Sequence, residues 1–116
     1  MTLVEQVYEL TESLPRSEDY ALRGQSRRAA VSIPSNIAEG TSRTSKKEFV
    51  HYLRIASGSL RELDTQMEIA MRVRFISAEQ LAVLSLQFES IGRMLSRLIS
   101  TLSKENDDDH RPTRDS

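Results

Sequence analysis

Residues 45–74 read SKKEFVHYLRIASGSLRELDTQMEIAMRVR. Phe49, Leu53, Ala56, Leu60, Leu63, Met67 and Ala70 recur at alternating steps of four and three, the spacing that lines apolar groups along one side of an α-helix. Ser45, with Glu48 three residues on, forms a capping-box sequence whose hydroxyl and carboxylate satisfy backbone N–H groups left over by the first turn. The spacing predicts one helix from Ser45 to about Arg74, roughly 40 Å long at 1.5 Å per residue. A rod of that length needs partners of the same kind along its apolar side.

Both flanks supply them. After Phe75 and Ile76, Ser77 and Gln80 form a second box, and Leu81, Leu84, Phe88, Ile91, Leu95, Leu98 and Leu102 repeat the three-four spacing. The short link makes these two helices antiparallel neighbours. Toward the N-terminus, Leu3, Val7, Leu10 and Leu14 mark a first helix ended by Pro15. Ser17, followed by Glu18 and Asp19, is the expected N-cap of a second helix with an inner face of Leu22, Ser26, Ala29 and Ile33.

The stretch VSIPSNIAEG, residues 31–40, interrupts that helix in the sequence. Pro34 lacks an N–H and its ring crowds the carbonyl four residues back, so a kink or restart is expected near Ser32, with Ser32 as the new cap. Gly40 is expected to take the left-handed position that ends the helix. Ser35, Asn36 and Glu39 offer a polar site as the rival explanation, but bend and stop are commoner uses of such residues.

The fold class is therefore all-α: an antiparallel up-down four-helix bundle over residues 1–103. Residues 104–116 lack apolar side chains and contain Pro112, which predicts a disordered acidic tail. The first helix spans only about a dozen residues against nearly thirty for its partners, so part of their apolar stripe is left uncovered. Val50, Ile55, Ile69, Val83, Leu86 and Ile99 lie outside the main stripes as well. Self-association is the expected remedy.

Composition narrows the chemistry. Aromatic residues make up 5% of the chain and cysteine is absent, which disfavours a β-sandwich and removes disulfides, thiolate zinc sites and cysteine nucleophiles. No apolar run approaches the roughly 18 residues of a membrane span, and the N-terminus MTLVEQVYEL carries acids where a signal peptide carries bases. A soluble cytoplasmic protein is expected.

The net charge of −1 hides an uneven distribution. Residues 16–54 contain Arg16, Arg23, Arg27, Arg28, Arg43, Lys46, Lys47 and Arg54 against Glu18, Asp19, Glu39 and Glu48. Lys47, Arg54 and Arg61 recur every seven residues on the outer side of the third helix, beside His51, and Arg23 and Arg27 lie one turn apart on the second. Phosphate contacts from such a row give salt-sensitive, sequence-independent affinity for nucleic acid. The competing reading is a solvated surface partly neutralised by i,i+4 pairs: Asp19 with Arg23, Glu68 with Arg72, Glu89 with Arg93. Tyr52 is the one aromatic near the row, so base stacking is expected to be minor.

Catalysis finds no support in the sequence. His51 lies inside a helix without matched ligand spacing, and His110 follows DDD in the tail, where flexible carboxylates bind cations weakly. ASGS, residues 56–59, sits within the apolar rhythm and reads as small residues allowing close helix approach rather than a phosphate loop. No nucleophile elbow, Gly-rich phosphate loop or cofactor motif occurs. A protein without enzymatic activity, cofactor or metal is expected.

Residues 26–70, SRRAAVSIPSNIAEGTSRTSKKEFVHYLRIASGSLRELDTQMEIA, closely resemble the bacterial "four helix bundle protein" family, also described as proteins encoded by intervening sequences in 23S ribosomal RNA genes. LTESLPRSEDYALRGQSRR before the block and FISAEQL after it are similar too. The resemblance implies a bundle assembled as a ring-like homopentamer, with a suspected role in binding RNA or DNA and no known catalytic activity. Members carry a longer, aromatic-containing first helix than the one here. Arg23, Arg27, Arg28, Arg43, Lys46, Lys47, Arg54 and Arg61 are the expected phosphate-contacting residues, with a protein-interaction scaffold as the alternative function.

Overall fold

The computed structural model describes residues 1–18 and 21–110, with side chains as far as residue 105. Four α-helices account for most of it: α1 (Leu3–Thr11), α2 (Leu22–Thr41), α3 (Lys46–Arg72) and α4 (Ala78–His110), with a 3-10 turn at Arg16–Glu18 between the first two. No strand occurs among the described residues.

The helix starts follow from local hydrogen bonding. Thr2 and Glu5 form a full capping box on α1, the Glu5 carboxylate accepting from Thr2 N–H at 2.8 Å and the Thr2 hydroxyl from Glu5 N–H at 3.2 Å. Ser77 and Gln80 do the same for α4, at 2.8 and 3.0 Å. At α3 only half the box forms: Glu48 N–H donates to Ser45 Oγ at 3.0 Å, while the Glu48 carboxylate accepts from the Ser45 hydroxyl at 3.2 Å. Ser17 does not cap α2. It lies in the 3-10 turn, and the carboxylate of Glu18 instead accepts from Leu22 N–H at 3.3 Å.

Pro34 neither breaks nor restarts α2, which runs unbroken from Leu22 to Thr41. Ser32 is no cap. Its hydroxyl lies 2.8 Å from that of Ser59 on α3, and the Asn36 amide donates to the Ser32 carbonyl at 2.8 Å and hydroxyl at 2.9 Å. Contacts with α3 and this polar cluster hold the helix through the proline, whose missing N–H costs one backbone bond.

Gly40 also departs from expectation, since it lies inside α2 and its φ is not positive. A Cβ there would stand 2.7 Å from Phe49 Cδ1 and 3.1 Å from Tyr52 Cβ. Glycine serves close approach to α3. The left-handed position is Arg74 instead, φ 69°, where the chain leaves α3. Ile76 and Phe75 N–H groups both turn back to the Ala70 carbonyl there, the latter at 2.8 Å.

The core is one cluster. Leu53, Ala56, Leu63, Met67 and Ala70 of α3 are fully buried, joined by Val7, Ala30, Leu84 and Leu95 from the other helices. Each large apolar side chain buried this way contributes about 1.5–3 kcal/mol. The α2 face is small (Ser26, Ala29, Ala30, Ile33, Gly40), which lets α3 come close along its length. Contacts run in opposite order along consecutive helices: Arg23 meets Thr11 and Arg27 meets Tyr8, Ser32 meets Ser59 and Gly40 meets Phe49, Leu60 lies at Gly92 and Lys46 at Glu105.

With nine residues, α1 covers only part of its neighbours. An apolar hollow of about 220 Å³ remains between Leu3 and Val4 of α1, Ile33 and Ile37 of α2, and Ile91 and Met94 of α4. Val83, Leu86, Ile69 and Val73 are exposed farther along α4 and α3.

At its C-terminal end α4 runs through residues 104–110 to His110. Missing apolar groups remove packing but not helix propensity, and no glycine or proline intervenes before Pro112. Glu105 is also tied to Lys46 at 2.9 Å. The tail beyond His110 lies outside the described residues.

Candidate nucleic-acid interface

The eight basic residues singled out by sequence fall into two groups. Arg23 and Arg27 point inward to α1. Arg23 Nε donates to the Thr11 carbonyl at 3.0 Å and its Nη2 to the carbonyls of Glu12, at 3.1 Å, and Leu14. These carbonyls lie at and just beyond the end of α1, where the helix dipole favours a cation; that of Thr11 also accepts Leu14 N–H at 3.2 Å. Arg27 Nε donates to Thr11 Oγ1 at 2.9 Å, and its Nη2 to the Tyr8 carbonyl and the Glu12 carboxylate, each at 3.1 Å. Its guanidinium also lies 4.5 Å from the Tyr8 ring centroid. The pair predicted between Asp19 and Arg23 involves a residue outside the described ones.

Arg43 is likewise engaged, by Glu39 Oε2 at 2.6 Å and Tyr52 Oη at 2.9 Å, with its guanidinium over the Tyr52 ring. Lys46 holds Glu105. Ion pairs as exposed as these are worth little and can open to a stronger anion.

The remaining four face solvent. Arg28 is exposed beside a shallow hollow formed with Tyr8, Gly24 and Val31. Lys47, Arg54 and Arg61 are all exposed on α3, opposite its buried stripe. Among the described residues Lys47 and Arg54 have no hydrogen bond or ion pair, and Arg61 reaches only the Ser57 hydroxyl, at 3.5 Å. Among the described residues the seven-residue row is therefore a line of cations without carboxylate partners along one helix. His51 stands next to it, exposed, its ring edge-on to Tyr52 at 5.2 Å.

Two arginines outside the sequence-based set join this surface. Arg93 and Arg97 of α4 line a groove of about 670 Å³ with Arg61, across Ser57, Gly92 and Ser96. Arg93 approaches Glu89 only to 3.9 Å, both side chains being about two-thirds exposed. A signal was present in the sequence: residues 93–104 hold Arg93, Arg97 and Lys104 and no acid. It is masked by the near-zero charge of the whole chain, and only the pairing of α4 with α3 sets these arginines beside the row.

No group of three or more histidines, aspartates or glutamates that would hold a metal occurs among the described residues. The titration of Glu5 is displaced. Hydrogen bonds from the Thr2 backbone and hydroxyl, with the nearby N-terminal charge, hold its carboxyl below the usual range. No described helix is long and apolar enough to cross a membrane.

Comparison with solved structures finds the same fold in a protein of unknown function from the S23 ribosomal protein family of Bacteroides thetaiotaomicron. The TM-score is 0.71 at 20% identity, over 84% of this chain and 98% of that one. No functionally curated protein matches the sequence. The model of one family, described as 23S rRNA-intervening sequence protein, matches residues 1–97. With that match covering α1 to α3 and α4 as far as residue 97, and with an S23 family member sharing the fold, the chain belongs to the 23S rRNA-intervening sequence protein family.

Proposed function

We propose that this protein is a non-catalytic, self-associating four-helix bundle of up-and-down topology that binds nucleic acid through phosphate contacts. The observation that carries the reading is the row Lys47, Arg54 and Arg61, exposed at seven-residue intervals along one helix and without carboxylate partners among the described residues. Arg28 extends the positive surface, while Arg43 and Lys46 join it when their exposed ion pairs open. Arg23 and Arg27 serve α1 rather than a ligand. Membership of a family described by 23S rRNA intervening sequences supports RNA as the first polyanion to test.

Self-association is supported by the exposed apolar side chains Val83 and Leu86 and by the part of the stripe that α1 leaves open; a ring of five is what the family resemblance implies. Repetition around a ring multiplies a patch too small to bind well alone. A scaffold that instead presents Val83 and Leu86 to another protein is the second reading, favoured by the same two residues.

Replacing Lys47, Arg54 and Arg61 together by glutamine tests the first reading. Affinity for a 20-base-pair RNA duplex should fall and its salt dependence should flatten, with sedimentation of the protein unchanged. Unchanged affinity would show that the α3 row does not contact RNA.

A further inference from the structure

Charge is segregated along the α3–α4 pair in a way that the α3 row alone does not reveal. Residues 46–61 carry Lys46, Lys47, Arg54 and Arg61 against Glu48, and residues 93–104 carry Arg93, Arg97 and Lys104 against no acid. Toward the connecting turn the sign reverses: Glu62, Asp64 and Glu68 face only Arg72 on α3, and Glu79 and Glu89 have no basic counterpart within residues 78–92. Leu60 opposite Gly92 and Lys46 opposite Glu105 fix the register, so Arg54 is level with Arg97 and Leu98. The two basic halves therefore lie side by side.

Between them runs the 670 Å³ groove, and its lining changes along its length. Asp64 and Glu89 stand toward one end with Phe88; Arg61 and Arg93 lie near the middle, Arg93 within 3.9 Å of Glu89, and Arg97 toward the other end, with the hydroxyls of Ser57 and Ser96 alongside. Gly92 and the serines keep the floor low, and long arginine side chains from both helices border the trough, whose floor also includes Leu60. Phe88 is buried and no other aromatic lines the groove, which leaves nothing for bases to stack on. Guanidinium forks and hydroxyl donors match phosphate oxygens, which arginine grips bidentately.

We infer that the basic end of the α3–α4 groove, at Arg61, Arg93 and Arg97, seats the phosphodiester backbone of the bound nucleic acid, making the α3 row one edge of a two-helix track. The inference rests on the nucleic-acid reading above and deepens it: recognition is of backbone alone, without base stacking or sequence readout. Asp64 and Glu89 repel the backbone at the other end of the groove, which fixes where along the pair it lies.

The test compares two double variants of the full chain, Arg93→Gln with Arg97→Gln, and Lys47→Gln with Arg54→Gln, by fluorescence anisotropy on labelled 20-base-pair RNA and DNA duplexes of two unrelated sequences. Arg93→Gln/Arg97→Gln should weaken every duplex by about tenfold at low salt and lower the log–log salt slope by about 1.8, the value for two lost phosphate contacts. Ser96→Glu, which adds an anion to the trough, should weaken binding likewise. Melting temperature should hold in all three, since these side chains are exposed. If only the Lys47/Arg54 variant loses affinity, the groove assignment fails and the α3 row stands. If the unsubstituted protein binds no duplex, both fall. Free ATP and inorganic phosphate are the remaining arms: competition by either at micromolar concentration, with no effect of duplex length on affinity, would mark a small-anion pocket and overturn the track.

Discussion

The Phe49 ring occupies the space that a side chain on Gly40 would need, with its Cδ1 only 2.7 Å from the position of a Cβ. Phe49 opens α3 and Gly40 closes α2, so this contact sets how tightly the two helices begin and end against each other.

Gly40→Ala pits two effects against each other. Alanine gains about 1 kcal/mol of helix propensity over glycine, but overpacking against Phe49 and the Cβ of Tyr52 costs typically 1–3 kcal/mol. Tyr52 Cβ moves only with its backbone, so the clash should prevail. Urea unfolding is expected to show net destabilisation of about 1 kcal/mol, and a stabilised variant would contradict the close packing described here.

Arg27→Gln should lower stability by about 1–2 kcal/mol, because it removes the stack on Tyr8 and leaves the buried Thr11 hydroxyl without its donor. Arg27→Lys should not restore it, since an ammonium lacks the planar fork that reaches Thr11, Tyr8 and Glu12 together. The salt slope of RNA binding should stay unchanged in both. A flattened slope would return Arg27 to the ligand surface.

Arg74→Gly should stabilise the protein by about 0.5–1 kcal/mol by placing at φ 69° the residue that adopts it without a Cβ penalty. Thermal unfolding measures the gain directly. Loss of stability would mean that the arginine side chain, rather than the backbone, decides this turn.

The acid limb of unfolding carries a contribution from Glu5. Its carboxyl titrates lower in the folded protein than in the unfolded chain, so the stabilisation is fully present above the ordinary carboxylate range and is lost as pH falls through the depressed folded value. Following the Glu5 side-chain carbon by NMR should show a low midpoint in the native protein. Thr2→Ala should move that midpoint back up, because both the hydroxyl and the backbone geometry of the box are disturbed.

Much of the helix plan was legible because burial is periodic: Leu53, Leu63 and Leu95 are fully buried where the three-four spacing puts them. What escaped the sequence depended on partners far along the chain. Pro34 reads as a break until Ser59 and α3 are in place, and Gly40 reads as a stop until Phe49 is seen against it. Among the candidate site residues the row at Lys47, Arg54 and Arg61 was readable from helical geometry alone. That Arg23 and Arg27 turn toward α1 was not, since the backbone carbonyls they reach lie nine to nineteen residues away, and every residue carries a carbonyl.

A helix of nine residues is too short to persist in water without a scaffold. Its last carbonyls wait for Arg23 and its side chains for Ile33, all of which belong to α2 or later. Until α2 has been translated, α1 is thus expected to remain coil. During synthesis the Leu3 and Val7 side chains stay available to any chaperone, or any sister chain, that arrives before α2 does.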